Sequence, residues 1–150
     1  MPDDLSFMEA ALAEAHRGEE EGEVPVGAVV VAEGEIIARA YNRPIAACDP
    51  TAHAEILALR AAAERRGNYR LGGCDLYVTL EPCAMCVGAL VHARLRRLIY
   101  AAADPKAGAV ASRLRLLDSP HFNHRIEVTA GVLAEEAAAL LQRFFALRRQ

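Results

Sequence analysis

The stretch Leu76-Tyr77-Val78-Thr79-Leu80-Glu81-Pro82-Cys83-Ala84-Met85-Cys86 joins two structural patterns end to end. Leu76 to Leu80 is an apolar, β-rich run, which reads as a strand aimed at Pro82. A helix follows to about Ala93. Pro82 suits its first turn, where no amide hydrogen is needed. Cys83 and Cys86 stand three apart, about 60° in azimuth, on one helical face. Thiolates near a helix N-terminus are stabilised by exposed amides and the dipole, so a metal binds there more easily. Arg97 to Ala101 then reads as another strand, with Leu98 to Tyr100 its apolar run. A lone Cys-x-x-Cys also describes a redox pair, so the rest of the chain must decide.

The deciding partner is Pro50-Thr51-Ala52-His53-Ala54-Glu55. His53, Cys83 and Cys86 are good zinc ligands, and a redox pair would leave His53-x-Glu55 unexplained. Two thiolates and a neutral imidazole fill three tetrahedral positions and leave the fourth for water, the pattern of a catalytic site. Water on zinc falls in pKa from 15.7 to roughly 7, a change of about 12 kcal/mol in deprotonation. A neighbouring carboxylate can take the water's proton and deliver it to a ring nitrogen and a leaving amine, which suits Glu55. His53 and Glu55 are two apart, about 200° of helical rotation, so they work together only if the metal sits over the start of a helix. Asp49 or Thr51 would cap that start. A closed structural zinc site needs a fourth ligand, for which Cys48, Cys74 and His92 are the candidates.

With 150 residues and 53% hydrophobic content, residues 1–150 read as one domain with a single core. No run approaches the 18 or so apolar residues of a membrane span. Met1-Pro2-Asp3-Asp4 lacks the positive start of a secretory signal. Four cysteines, two of them assigned to zinc, point to a reducing compartment, and the expectation is cytoplasmic. The net charge of −3 hides an asymmetry: residues 1–35 hold ten acids and one base, whereas the remainder holds sixteen bases and ten acids. Lys106 is the sole lysine. Arginine's planar fork suits phosphates and stacks on bases, although such arginines also form ordinary solvated faces.

Leu5, Met8, Leu12 and Ala15 recur at helical spacing, with Ala11 widening the stripe, and predict a helix over about 5–21. Val26 to Val31 is a short strand with Gly27 inside it, where something approaches the backbone closely. Glu33-Gly34 turns the chain into a second hairpin arm, Glu35 to Tyr41. Residues 43–50 read as a loop leading to a helix from about Ala52 to Arg65, with Ile56, Leu59 and Ala63 inward. After the second metal helix and its strand, residues 112–117 read as a short helix and 120–124 as a loop. Glu127 to Thr129 is a final short strand. Leu133, Ala137, Leu140, Leu141 and Phe144 line a C-terminal helix ending in Arg148-Arg149. Two strand–helix units in succession argue for an α/β fold with helices covering a central sheet.

Taken together, these motifs closely resemble the bacterial tRNA-specific adenosine deaminases, within the zinc-dependent cytidine/deoxycytidylate deaminase superfamily. The likeness runs from about Phe7 to Arg149 and includes Glu23-Val24-Pro25-Val26-Gly27-Ala28, Asn42-Arg43-Pro44-Ile45 and Asp49 to Glu55. Asn68-Tyr69-Arg70-Leu71, Leu76 to Cys83, Asp104 to Ala109, Phe122-Asn123-His124 and Phe144-Phe145 also match. Ala47 and Cys48 lie outside it. The resemblance implies a three-layer α/β/α cytidine-deaminase-like fold with a mixed sheet of about five strands, and a homodimer with active sites near the interface. It implies deamination of adenosine to inosine at the wobble position of an arginine tRNA. An anticodon loop can splay its adenine into a pocket, which exposes C6 to attack. On this reading one Zn²⁺ per subunit is held by His53, Cys83 and Cys86, and Glu55 shuttles protons. Asn42 meets the adenine, with Val26 and the Ala54 backbone shaping its pocket. Asp104, Lys106, Asn123, His124, Phe145 and Arg149 contact the anticodon stem-loop. Two other functions compete. A deaminase of free guanine, cytosine or cytidine shares the metal site but has no use for the arginine-rich surface. A noncatalytic RNA-binding module with structural zinc has no use for Glu55.

Overall fold

Along strand β1 (Gly27–Ala32), Ala28 and Val30 point to one side and Val29 and Val31 to the other, and all four are buried. Burial on both faces means that the strand lies inside the sheet with a layer on either side. The computed structural model describes residues 2–148. Its sheet contains β1, β2 (Glu35–Tyr41), β3 (Cys74–Leu80), β4 (Arg97–Ala102) and β5 (Glu127–Ala130), in the order β2-β1-β3-β4-β5. β1 is antiparallel to β2 and β3, while β3, β4 and β5 run parallel. The β1–β2 turn has Glu33 at φ 51° and Gly34 at φ 78°, the left-handed pair that suits a tight hairpin.

Helices α3 (Ala54–Arg66) and α4 (Ala84–His92) cover the face bearing Ala28, Val30, Leu76, Val78 and Leu98. Helices α1 (Pro2–Glu20) and α5 (Ala134–Arg148) cover the face bearing Val29, Val31, Tyr77 and Ile99. This is the expected three-layer α/β/α arrangement with a mixed five-stranded sheet. The approach of α1 is closest at Gly27, where a Cβ would lie 2.0 Å from the Ala11 carbonyl oxygen and 2.5 Å from the Ala15 nitrogen. No helix among the described residues is long and apolar enough to cross a membrane.

Four details depart from the pattern in the sequence. Residues 43–50 are not all loop, because Pro44–Ala47 forms a short helix, α2. Proline presets its first turn, and the buried Glu23 carboxylate accepts the Ile45 and Ala46 N–H groups at 3.2 and 2.8 Å. Residues 112–117 do not form a helix. Only a 3₁₀ turn, Leu116–Asp118, forms there, because the Leu116 amide donates to the Ala109 carbonyl and those of Arg113 and Leu114 to Gly108, so no i to i−4 ladder starts at Ser112. The inner face of α3 is Ala54, Ala58, Leu59 and Ala62, with Ile56 and Ala63 only half-buried. Alanines allow the helix to sit close on the sheet, which turns the larger Ile56 sideways. On α1, Leu5 is half exposed and Met8 begins the buried stripe.

Candidate metal centre and active site

His53 and Cys83 occupy the same structural position on different helices. His53 is the N-cap of α3 (φ −74°, ψ 153°) and Cys83 the N-cap of α4 (φ −80°, ψ 176°). Both backbones are extended there, and each carbonyl accepts the first helical hydrogen bond, from Leu57 and Val87. The two helices therefore start at one point, with Cys86 one turn into α4. This resolves the two-residue spacing of His53 and Glu55. The imidazole leaves the chain before the helix begins, and Glu55 leaves it in the first turn. Pro82 precedes the cap of α4 instead of entering its first turn.

Neither Asp49 nor Thr51 caps α3. The Asp49 carboxylate instead accepts the Thr51 N–H at 2.8 Å and its hydroxyl at 2.7 Å. Capping comes from across the fold, where Asn42 Oδ1 accepts the Ala54 N–H at 2.7 Å. The Asn42 N–H in turn donates to the Val26 carbonyl at 3.0 Å, so Val26, Asn42 and Ala54 meet at the mouth of the site.

The donor set fits zinc. His53 Nδ1 lies 3.6 Å from Cys83 Sγ and 3.6 Å from Cys86 Sγ. A tetrahedral zinc with bonds of about 2.3 Å to sulfur and about 2.05 Å to nitrogen has sulfur–nitrogen edges of about 3.6 Å. Among the described residues, His53, Cys83 and Cys86 are the one group of three or more metal donors within reach of one another. The candidate fourth ligands lie elsewhere. Cys48 is exposed at the end of α2, Cys74 is buried at the start of β3 beside Arg66, and His92 is exposed at the far end of α4. Three soft donors without a fourth protein ligand leave an open position.

Electrostatics match that chemistry. Hydrogen bonds from Cys86 and His53 hold the Cys83 thiol down, to about 3. The resulting thiolate, together with burial, pushes the Cys86 thiol up. A divalent cation bound between the two sulfurs takes both as thiolates. His53 is raised by its hydrogen bond with Cys83. Glu55 is 4% exposed, and burial pushes its carboxyl to about 7. A carboxyl poised at neutrality both accepts and returns a proton.

The remaining expected residues divide by location. Asp104 lies in the segment after β4, its carboxylate accepting the Lys106 and Ala107 N–H groups, while Lys106 is exposed. Asn123 and His124 border a cavity of about 210 Å³ with Tyr69, Arg70, Val91 and His92, at the end of α4 away from the metal donors. His124 Nε2 lies 2.5 Å from the Leu95 carbonyl oxygen, so it also pins its own loop. The structure does not bring these two residues to the site within one chain. Phe145 is 45% exposed near the end of α5, edge-on to Phe144, which is core. Arg149 lies outside the described residues. Two buried acids that sequence reasoning left without a role, Glu23 and Glu81, hold the segments bordering the site. Only their place beside motif residues signals them.

Residues 1–102 match the model of the cytidine and deoxycytidylate deaminase zinc-binding region. With the three-donor centre and the near-neutral acid beside it, that makes the chain a zinc-dependent hydrolytic deaminase. The tRNA-specific adenosine deaminase of Haemophilus influenzae is 50% identical over 148 residues, covering 98% of this chain and 86% of its own length. That of Aquifex aeolicus is 51% identical over 139 residues, covering 93% and 91%. The chain belongs to this bacterial tRNA-specific adenosine deaminase family. A solved structure from studies of A-to-I editing by tRNA:A34 deaminases at the wobble position has a TM-score of 0.89 and 51% identity, covering 91% of this chain and 99% of that one. A guanine deaminase from Nitrosomonas europaea is more distant, with a TM-score of 0.77 and 28% identity over 95% of this chain and 84% of that one.

Proposed function

We propose that the chain converts adenosine to inosine, with release of ammonia, at the wobble position of an arginine tRNA. The observation that carries the chemistry is the buried Glu55 carboxyl, raised to about 7, beside three donors that have no fourth among the described residues. His53, Cys83 and Cys86 hold the metal, which when bound supplies Lewis acidity and makes water ionise near neutral pH. Glu55 takes one proton from water and passes it to the purine ring nitrogen next to C6, then takes the second from the new C6 hydroxyl and delivers it to the departing amine. Water adds at C6 and the C–N bond to the amine breaks, so the products are inosine and ammonia. Asn42 spends its oxygen on the Ala54 amide, which leaves its NH₂ group to donate to the purine, with Val26 as an apolar wall. Asp104 and Lys106 flank the anticodon loop. Asn123, His124, Phe145 and Arg149 extend the RNA surface. The chain acts as a homodimer, which would give the distant Asn123 and His124 a route to RNA bound at the partner's site. The identity to tRNA-specific adenosine deaminases over nearly the whole chain supports the substrate.

The test presents the zinc-loaded protein with an arginine anticodon stem-loop bearing wobble adenosine, beside free adenosine, cytidine and guanine. Inosine in the RNA and little reaction with the free compounds is the expected result. Ammonia released chiefly from guanine or cytidine would transfer the assignment to a free-base or nucleoside deaminase. Equal turnover of a stem-loop carrying another anticodon would remove the arginine specificity.

A further inference from the structure

Glu81 ends β3 and directly precedes Pro82 and the ligand Cys83, yet it is 2% exposed and no step of the chemistry uses it. Its two oxygens collect donors from a single irregular segment. Oε1 accepts the Asp104 N–H at 3.0 Å and the Ser112 hydroxyl. Oε2 accepts the N–H groups of Val110, Ala111 and Ser112 at 3.1, 2.8 and 3.0 Å. Successive backbone N–H groups converging on an anion form a nest. The contact is close, for a Cβ on Gly108 would lie 2.4 Å from the Glu81 carboxyl carbon. The Ala109 N–H also donates to the Pro82 carbonyl at 2.9 Å, so the same segment grips the chain one residue before the metal ligand. Between these anchors, Pro105, Lys106 and Ala107 are exposed.

We propose that Glu81 is a positioning residue: its carboxylate fixes the 104–112 segment against the Pro82-Cys83 backbone and so presents Asp104 and Lys106 to RNA at the metal centre. The inference rests on the reading of an RNA substrate given above. Gln keeps only one acceptor oxygen: turned to the three N–H groups at Oε2, it sets its NH₂ against the Asp104 N–H, and either way the negative charge that draws the nest is lost. Asp would fall one methylene short of the nest. With the carboxylate gone, the segment loses its centre while His53, Cys83, Cys86 and Glu55 keep theirs. Loss of orientation appears in substrate binding when the reacting groups are untouched.

The experiment compares the native chain with Glu81→Gln, Gly108→Ala and Ser112→Ala, all zinc-loaded. For Glu81→Gln, KM for the stem-loop should rise about tenfold or more while kcat stays within about threefold. Zinc should remain at one per chain. Trypsin should cut after Lys106, Arg113 and Arg115 about tenfold faster, as expected for local opening, with cutting after Arg60 and Arg65 unchanged. Gly108→Ala should reproduce this pattern, since it displaces the same contact without altering charge. Ser112→Ala, which removes one hydroxyl donor, should move KM and cleavage in the same direction by less, and it serves where Glu81→Gln does not fold. A fall in kcat with KM unchanged, zinc lost in step with activity, or unaltered cleavage of the 104–112 segment would each overturn the proposal. If the native chain leaves wobble adenosine untouched, the substrate reading fails and takes the RNA-presenting role with it. The cleavage pattern still reports separately whether Glu81 holds the segment.

Discussion

Glu55 shows how far a single residue's role depends on its surroundings. In the sequence it is one of twenty acids, and an isolated glutamate ordinarily faces solvent. The His-x-Glu spacing beside a distant Cys-x-x-Cys nevertheless pointed to an acid near the metal donors, and the structure buries Glu55 against His53 and Cys86. Asn42 was legible only through resemblance, and its structural task, capping α3 from the end of β2, is a contact between residues twelve apart that no local signal announces. Glu81 was not legible as an anchor, since its partners lie 23 to 31 residues downstream in a stretch without periodicity. At this scale the decisive experiment is Glu55→Ala. Turnover should fall by about 10²-fold to 10⁴-fold, the range of general acid–base catalysis, while the protein retains one zinc and its far-ultraviolet dichroism. Turnover within threefold of native would remove Glu55 from the mechanism. Loss of zinc with activity would make it a structural support for the metal.

The elements were easier to read than their ends. The five strands and four long helices were all placed from the sequence, most of them because each buries a face marked with apolar residues, although β5 at the sheet edge buries none. The boundaries shifted where a tertiary partner supplies what the local sequence lacks. The buried Glu23 carboxylate caps α2, the Asn42 cap lets α3 begin at Ala54, and the Ala109 carbonyl takes the Leu116 amide that a helix over 112–117 would pair internally. Gly27 is the case in which the local signal was sufficient, since a glycine inside a β-branched run marks a close backbone approach. Replacing it with alanine would drive a methyl into backbone atoms of α1, which cannot yield as a flexible side chain would. Overpacking of this kind costs about 3 kcal/mol, at the upper end of its usual range. For a chain of this size that corresponds to a melting temperature about 10 °C lower. Calorimetry on Gly27→Ala checks it, and a shift below about 2 °C would show that α1 can lift from β1 at little cost.

Across the whole molecule, the metal donors start the helices on one face of the sheet, and a buried polar network ties α1 to the other. Asp4, buried on α1, accepts the Tyr77 hydroxyl of β3 at 2.5 Å and the Arg97 guanidinium of β4 at 3.0 and 3.3 Å. Arg97 also donates to Thr129 of β5 at 3.1 Å, so one network spans a helix and three parallel strands. Burial works against the Asp4 charge, but hydrogen bonds from Arg97 and then Tyr77 prevail and hold its carboxyl below the usual aspartate value. A carboxyl whose pKa is lower folded than unfolded stabilises the protein fully above its unfolded value of about 3.9, and that contribution disappears as pH falls through the folded value. Asp4→Asn should therefore cost about 1.5 to 3 kcal/mol at pH 7, because Arg97 loses the carboxylate it meets at 3.0 Å and keeps Asp75, 3.9 Å away. The gap between native and variant should be constant from pH 7 to about 5 and should close as the solution is acidified below about 4. Comparing the two proteins at each pH cancels the acid release of zinc, which both share because the metal lies on the opposite face. Urea unfolding of each at a series of pH values measures the gap. If it stays the same from pH 7 down to 3, Asp4 is not the ionised centre that joins α1 to the sheet.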